Sequence, residues 1–65
     1  MFKKLTTKEK ILKAIRKNSL TVEQIAEKLH DWPSMLEYDV KELLAEDKVE
    51  IIAEFNGKPC YLAKN

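Results

Sequence analysis

Residues 29–44 read LHDWPSMLEYDVKELL, and the reading of this stretch decides the fold. Leu36, Val40, Leu43 and Leu44 recur at three- and four-residue intervals, the stripe of an amphipathic helix. Pro33 suits a first helical position, where its missing N–H leaves no hydrogen bond unmade, and Ser34 with Glu37 offers a capping box one step later. A helix therefore begins around Trp32 to Ser34. Asp47 stands where a left-handed C-terminal cap is wanted, a conformation that Asp and Asn tolerate second only to Gly, so the helix should stop there. Upstream, Thr21 and Gln24 form another capping box, and Val22, Ile25, Ala26 and Leu29 make a compact amphipathic helix ending at Leu29 or His30. The quoted stretch is thus the end of one helix, a tight turn and a longer second helix.

Working outward, Thr6 and Glu9 open the first helix with a third capping box. Lys8, Ile11, Leu12 and Ile15 share one of its faces, with the Lys8 stem at the margin, and the helix should end near Asn18. Ser19-Leu20-Thr21 is too short for a helix and reads as a short strand. From Val49 the apolar period becomes two, and the sole glycine sits in Asn56-Gly57, the strongest short-range signal for a two-residue type I′ hairpin. That loop sets Phe55 against Lys58, Glu54 against Pro59, Ala53 against Cys60, Ile52 against Tyr61 and Ile51 against Leu62. Val49, Ile51, Ala53, Cys60 and Leu62 then share the expected core face, with Ile52 and Tyr61 paired on the other. Pro59 falls at a non-hydrogen-bonded pair, where its missing N–H costs the ladder nothing.

With 65 residues the chain reads as one domain, residues 1–65, burying only about 60% of its unfolded surface. Cys60 and His30 are single, which leaves too few ligands for a zinc site and no intramolecular disulfide, so no metal or cofactor is expected. Cys60 reads as a small buried apolar residue, and His30 falls at a helix C-terminus, where a cation suits the dipole. Trp32 reads as a plug covering apolar area in a small core. No stretch is long and apolar enough for a membrane span or a secretory signal, which makes the cytoplasm the expected compartment.

The net charge of +1 hides an asymmetry. Residues 1–17 carry seven cations against one carboxylate, and residues 18–65 carry five against ten. Lys10, Lys13 and Lys17 line a second face of the first helix, with Lys3 and Lys4 ahead of them. That row could meet phosphates or an acidic partner, or simply keep the surface soluble.

The order helix, short strand, helix, helix, hairpin resembles a winged helix-turn-helix DNA-binding domain over residues 5–63. IAEKLHDWPSMLEYDVKELLAEDKV, residues 25–49, resembles the family pattern without a gap: Ala26 in mid-helix, then Leu29, Leu36, Val40, Leu43 and Val49. The implied fold is α+β, a three-helix bundle with a helix-turn-helix and a C-terminal β-hairpin wing, in the order α-β-α-α-β-β. The family commonly has glycine after helix two and before the first wing strand; here His30 and Asp47 stand in those places, and a turn held by Trp32 is expected at the first.

By that resemblance helix three lies in the major groove of double-stranded DNA and the wing touches the backbone or minor groove, as in a transcriptional regulator. Helix three would present Ser34, Met35, Glu37, Tyr38, Lys41 and Glu42, with Asn56 and Lys58 as polar contacts from the wing. The nucleic-acid-binding residues expected are Ser34, Met35, Tyr38, Lys41, Asn56 and Lys58. From Ser34 to Lys48, five carboxylates face two lysines, whereas reader helices usually offer Arg, Lys, Asn or Gln to base edges. Carboxylates within a Debye length of about 8 Å subtract from phosphate attraction, so a homodimer or a protein partner is expected to supply affinity. The alternative is a protein interaction module, using the acidic helix three with Met35 and Tyr38, or Ile52 and Tyr61 on the wing. Catalysis is not expected: Glu37 and Asp39 do not share a helix face, and there is neither a nucleophile beside a base nor a phosphate-cradling glycine loop.

Overall fold

A computed structural model describes residues 5–64. Three helices, α1 (Thr7–Ala14), α2 (Val22–Leu29) and α3 (Pro33–Ala45), precede an antiparallel hairpin of β1 (Val49–Phe55) and β2 (Lys58–Ala63). The fold is α+β, with Ile11 and Ile15, Ile25 and Ala26, Leu36, Val40 and Leu43, and Val49 meeting in one core. Fully burying an aliphatic side chain of this size stabilises by about 1.5–3 kcal/mol, so these few residues carry most of what a chain this short can gain.

The helix starts follow from local chemistry. Thr6 and Thr21 each accept the amide three residues on, and Glu9 and Gln24 reach back to the amides of Thr6 and Thr21, so both capping boxes form. The box expected at Ser34 and Glu37 does not. Trp32 is the N-cap of α3, without a side-chain cap, and Pro33 begins the helix one step earlier. From that position the indole is 73% exposed, so Trp32 is not a core plug. Leu44 also lies at the margin of the stripe, exposed, and Leu29 is only half-buried.

Two helix ends use the same device with non-glycine residues. His30 is left-handed at φ 56°; its amide donates to the Glu27 carbonyl, and that of Asp31 to the Ala26 carbonyl at 2.8 Å. Asp47 is left-handed at φ 61°; its amide donates to Leu44, and that of Lys48 to Leu43. These are paired 5→2 and 6→1 bonds that satisfy carbonyls otherwise left open. The turn after α2 is therefore closed by backbone, not by Trp32. The first helix stops at Ala14, short of Asn18, because the Ile15 carbonyl takes the Ala63 amide at 3.0 Å.

Asn56 and Gly57, at φ 52° and 76°, make the expected two-residue turn, and Phe55–Lys58, Glu54–Pro59 and Ala53–Cys60 pair as expected. Beyond Ala53 the register shifts: Ile51 pairs with Tyr61, Glu50 with Leu62 and Val49 with Ala63, leaving Ile52 as a bulge. The extra residue exchanges the faces of the strand. Val49 thereby joins Tyr61 and Ala63 against the core, whereas the straight register would have grouped it with Cys60 and Leu62. Ile51 and Ile52 are each about half exposed, so Ile51 is not the core residue expected, and Tyr61 packs inward rather than lying outside with Ile52. Cys60 is buried, as its chemistry suggested. Leu20 and Tyr61 exchange backbone hydrogen bonds of 2.8 and 3.0 Å, so the short strand is a single bridge on the outer edge of β2.

Candidate functional site

On α3 the core stripe of Leu36, Val40 and Leu43 fixes what faces outward. Ser34, Tyr38 and Lys41, at i, i+4 and i+7, form an exposed ridge opposite it, with Met35 exposed beside them. The helix carboxylates flank this ridge instead of covering it. On one side, Glu42 and Glu46 are 3.1 and 3.3 Å from the Lys8 ammonium of α1. On the other, Glu37 borders a groove between α3, the start of α2 and the hairpin.

That groove holds about 260 Å³ and is lined by Val22, Glu23, Glu37, Lys41, Lys58, Pro59 and Tyr61. It brings together Lys41 and Lys58 of the six residues expected from sequence. Ser34, Met35 and Tyr38 stand on or beside the ridge next to it, and Asn56 sits at the hairpin turn. Lys58 is exposed but engaged: its ammonium lies 3.0 Å from Glu23, so the hairpin is tied to α2. That hydrogen bond, with one to the backbone, holds the Glu23 carboxyl below its usual value. Tyr61 is pushed above its ordinary value by burial first, then by the charges of Glu37 and Glu23. The groove is therefore mixed in charge, with two carboxylates and two lysines around a partly sheltered phenol.

Sequence reasoning missed Lys8 and Glu23 as participants and placed Tyr61 on the outer face of the hairpin. Lys8 was placed at a helix margin, yet it offsets two α3 carboxylates, and its Nζ is held protonated to higher pH chiefly by Glu42. A lysine in register with Ile11, Leu12 and Ile15 was the available signal, since a cation on an apolar face needs a partner. Glu23 gave no such signal, and Tyr61, expected outside with Ile52, turns inward because of the bulge. Among the described residues, no group of His, Cys, Asp and Glu is arranged to hold a metal ion. No described helix is long and apolar enough to cross a membrane.

No family model, curated protein or solved structure matches this chain.

Proposed function

We propose that the chain is a small winged-helix DNA-binding protein, a cytoplasmic transcriptional regulator that applies α3 and the hairpin wing to double-stranded DNA. The observation that carries this reading is the ridge of Ser34, Tyr38 and Lys41, left open while Lys8 offsets Glu42 and Glu46 on the flank away from the hairpin. Tyr38 and Ser34 would donate and accept at base edges or phosphates, Lys41 would supply the cation, and Asn56 and Lys58 would meet the backbone from the wing. Lys58 would first leave Glu23, an exposed pair of the kind worth little in water. With Glu37 beside the ridge a single copy binds weakly, and a homodimer or a partner adds affinity.

Titrating duplex DNA at low and moderate salt while following amide shifts tests this reading. Shifts are expected over Ser34–Lys41 and Asn56–Lys58, and Lys41→Ala should weaken binding by about tenfold, the size of one good contact. An unperturbed α3 at low salt would sink it.

A second reading has its own support. Trp32, Met35 and Tyr38 are 73%, 64% and 66% exposed and follow one another along the start of α3, an apolar strip unusual on a groove-reading helix and suited to a protein partner. Trp32→Ala separates the two, since it should abolish binding to such a protein and leave DNA binding within about twofold.

A further inference from the structure

Among the described residues some basic side chains are paired with carboxylates and others, Lys41 on the α3 ridge among them, are not. Lys8, Lys48, Lys58 and Lys64 each lie within 3.6 Å of a carboxylate. Lys10, Lys13, Arg16, Lys17 and Lys28 form no ion pair among the described residues, and they converge on one side of the molecule, where α1 runs beside α2. Two adjoining depressions of about 380 and 280 Å³ lie there. They share Lys13, Ala14 and Lys28; the first adds Leu5, Lys10 and Leu29, the second Arg16, Lys17 and Asn18. Glu9 lines a third hollow beside Lys13 and Arg16, and one of its oxygens accepts the Thr6 amide.

We propose that this α1–α2 face binds the phosphate backbone of double-stranded nucleic acid without reading sequence. It is a surface separate from α3 and the hairpin, and it does not depend on the function proposed for them. Five cations on a shallow surface match a linear polyanion better than a small anion, which would need convergent donors in an enclosed site. Lys10 and Lys13 stand about 4.5 Å apart along the helix axis, close enough to meet neighbouring phosphates of one strand. The described part of the face contains no aromatic ring: Trp32, Tyr38, Phe55 and Tyr61 all lie outside both depressions. Unstacked bases would therefore find no platform, which favours a duplex over a single strand. The phosphodiester also carries a denser charge than an acidic peptide and releases condensed counterions when neutralised, so it gains more from the same five cations.

The test compares the intact chain with a K10Q/K13Q/K28Q variant, whose substitutions are exposed and whose new residues suit a helix equally well. A thermal melt first establishes that the variant folds. Binding of a mixed-sequence duplex is then measured by fluorescence anisotropy between about 50 and about 200 mM salt, with amide shifts followed in parallel. The slope of log affinity against log salt should fall by about 2.7 in the variant, or about 40-fold less affinity lost over that salt range. Shifts should cover Lys10–Asn18 and Lys28, and they should persist in a Y38A/K41A variant, which separates this face from the reader-helix reading. An unchanged slope, shifts confined to α3 and the hairpin, tighter binding to a single strand, or equal competition by polyglutamate at matched charge would each overturn the proposal.

Discussion

The Lys8 ammonium of α1 stands 3.1 Å from Glu42 of α3 and 3.3 Å from Glu46, one turn on at the helix's C-cap. One cation thus spans two carboxylates from a helix far along the chain, and the acidity of α3 is partly an internal matter between helices. Replacing Lys8 by Gln should let the Glu46 carboxyl, now held below 4.5 chiefly by Lys8, return upward toward that value. A carboxylate titration followed by NMR reads this directly.

The same pairs fix the sign of the pH dependence. Glu23 and Glu46 titrate below their unfolded value of 4.5, so their contribution is complete above it and is lost as pH falls through the folded values. Lys8 and Lys64 titrate above 10.5, so theirs holds below that value and fades as pH rises through the folded ones. Urea midpoints should be flat near neutrality and drop below about pH 4.5, with the drop reduced by salt because these pairs are exposed. A midpoint that rises on acidification would contradict the assignment.

The two left-handed caps predict a gain from glycine. An L residue there costs about 1–2 kcal/mol, against roughly 0.5–1 kcal/mol of extra chain entropy lost by Gly on folding. His30→Gly should therefore stabilise by about 0.5–1 kcal/mol. Asp47→Gly should gain less, because it also removes the 2.7 Å contact with Lys64. Denaturant melts of the two variants check the order as well as the sign.

Trp32 and Leu36 make a contrasting pair. Leu36 is fully buried, and truncation to Ala leaves a cavity costing about 2–5 kcal/mol, enough to unfold much of so small a domain. Trp32→Ala should shift stability by less than about 0.5 kcal/mol, despite removing the larger side chain. Thermal melts giving Trp32 the greater effect would mean that the indole packs inward after all.

Thr21 is the buried polar side chain of the core region, held by its reciprocal bonds with Gln24. Thr21→Ala should cost about 1 kcal/mol and loosen the start of α2. Faster amide exchange at Gln24, with α3 unaffected, would mark the effect as local.

What the sequence disclosed was local chemistry with fixed spacing. Thr6 with Glu9, Thr21 with Gln24, Pro33, Asp47 and Asn56-Gly57 placed the helix starts, one helix end and the turn, because each acts within a few residues. The exposed ridge of Ser34, Tyr38 and Lys41 was legible for the same reason, as the complement of a helical stripe. The bulge at Ile52 was not: no glycine marks it, and adjacent isoleucines satisfy either register. Trp32 misled because size argues for burial, while its place before the helix decides where it points. The Lys58 contact with Glu23 depends on how the hairpin settles on α2, a matter of tertiary geometry that neither residue's neighbours announce.

The backbone bonds of β2 carry a kinetic consequence. Tyr61 joins Leu20, Ala63 joins Ile15, and Lys64 joins Lys48, so three residues within one four-residue stretch fasten three separated parts of the chain. Closing such distant loops is slow compared with forming helices. Until residues 61–64 dock, the Ile15 carbonyl at the end of α1 lacks its Ala63 partner. Helices of eight residues are marginal on their own, so α1 and α2 gain their stability together with this strand, and a chain that has not docked it leaves Ile15 and Val49 uncovered.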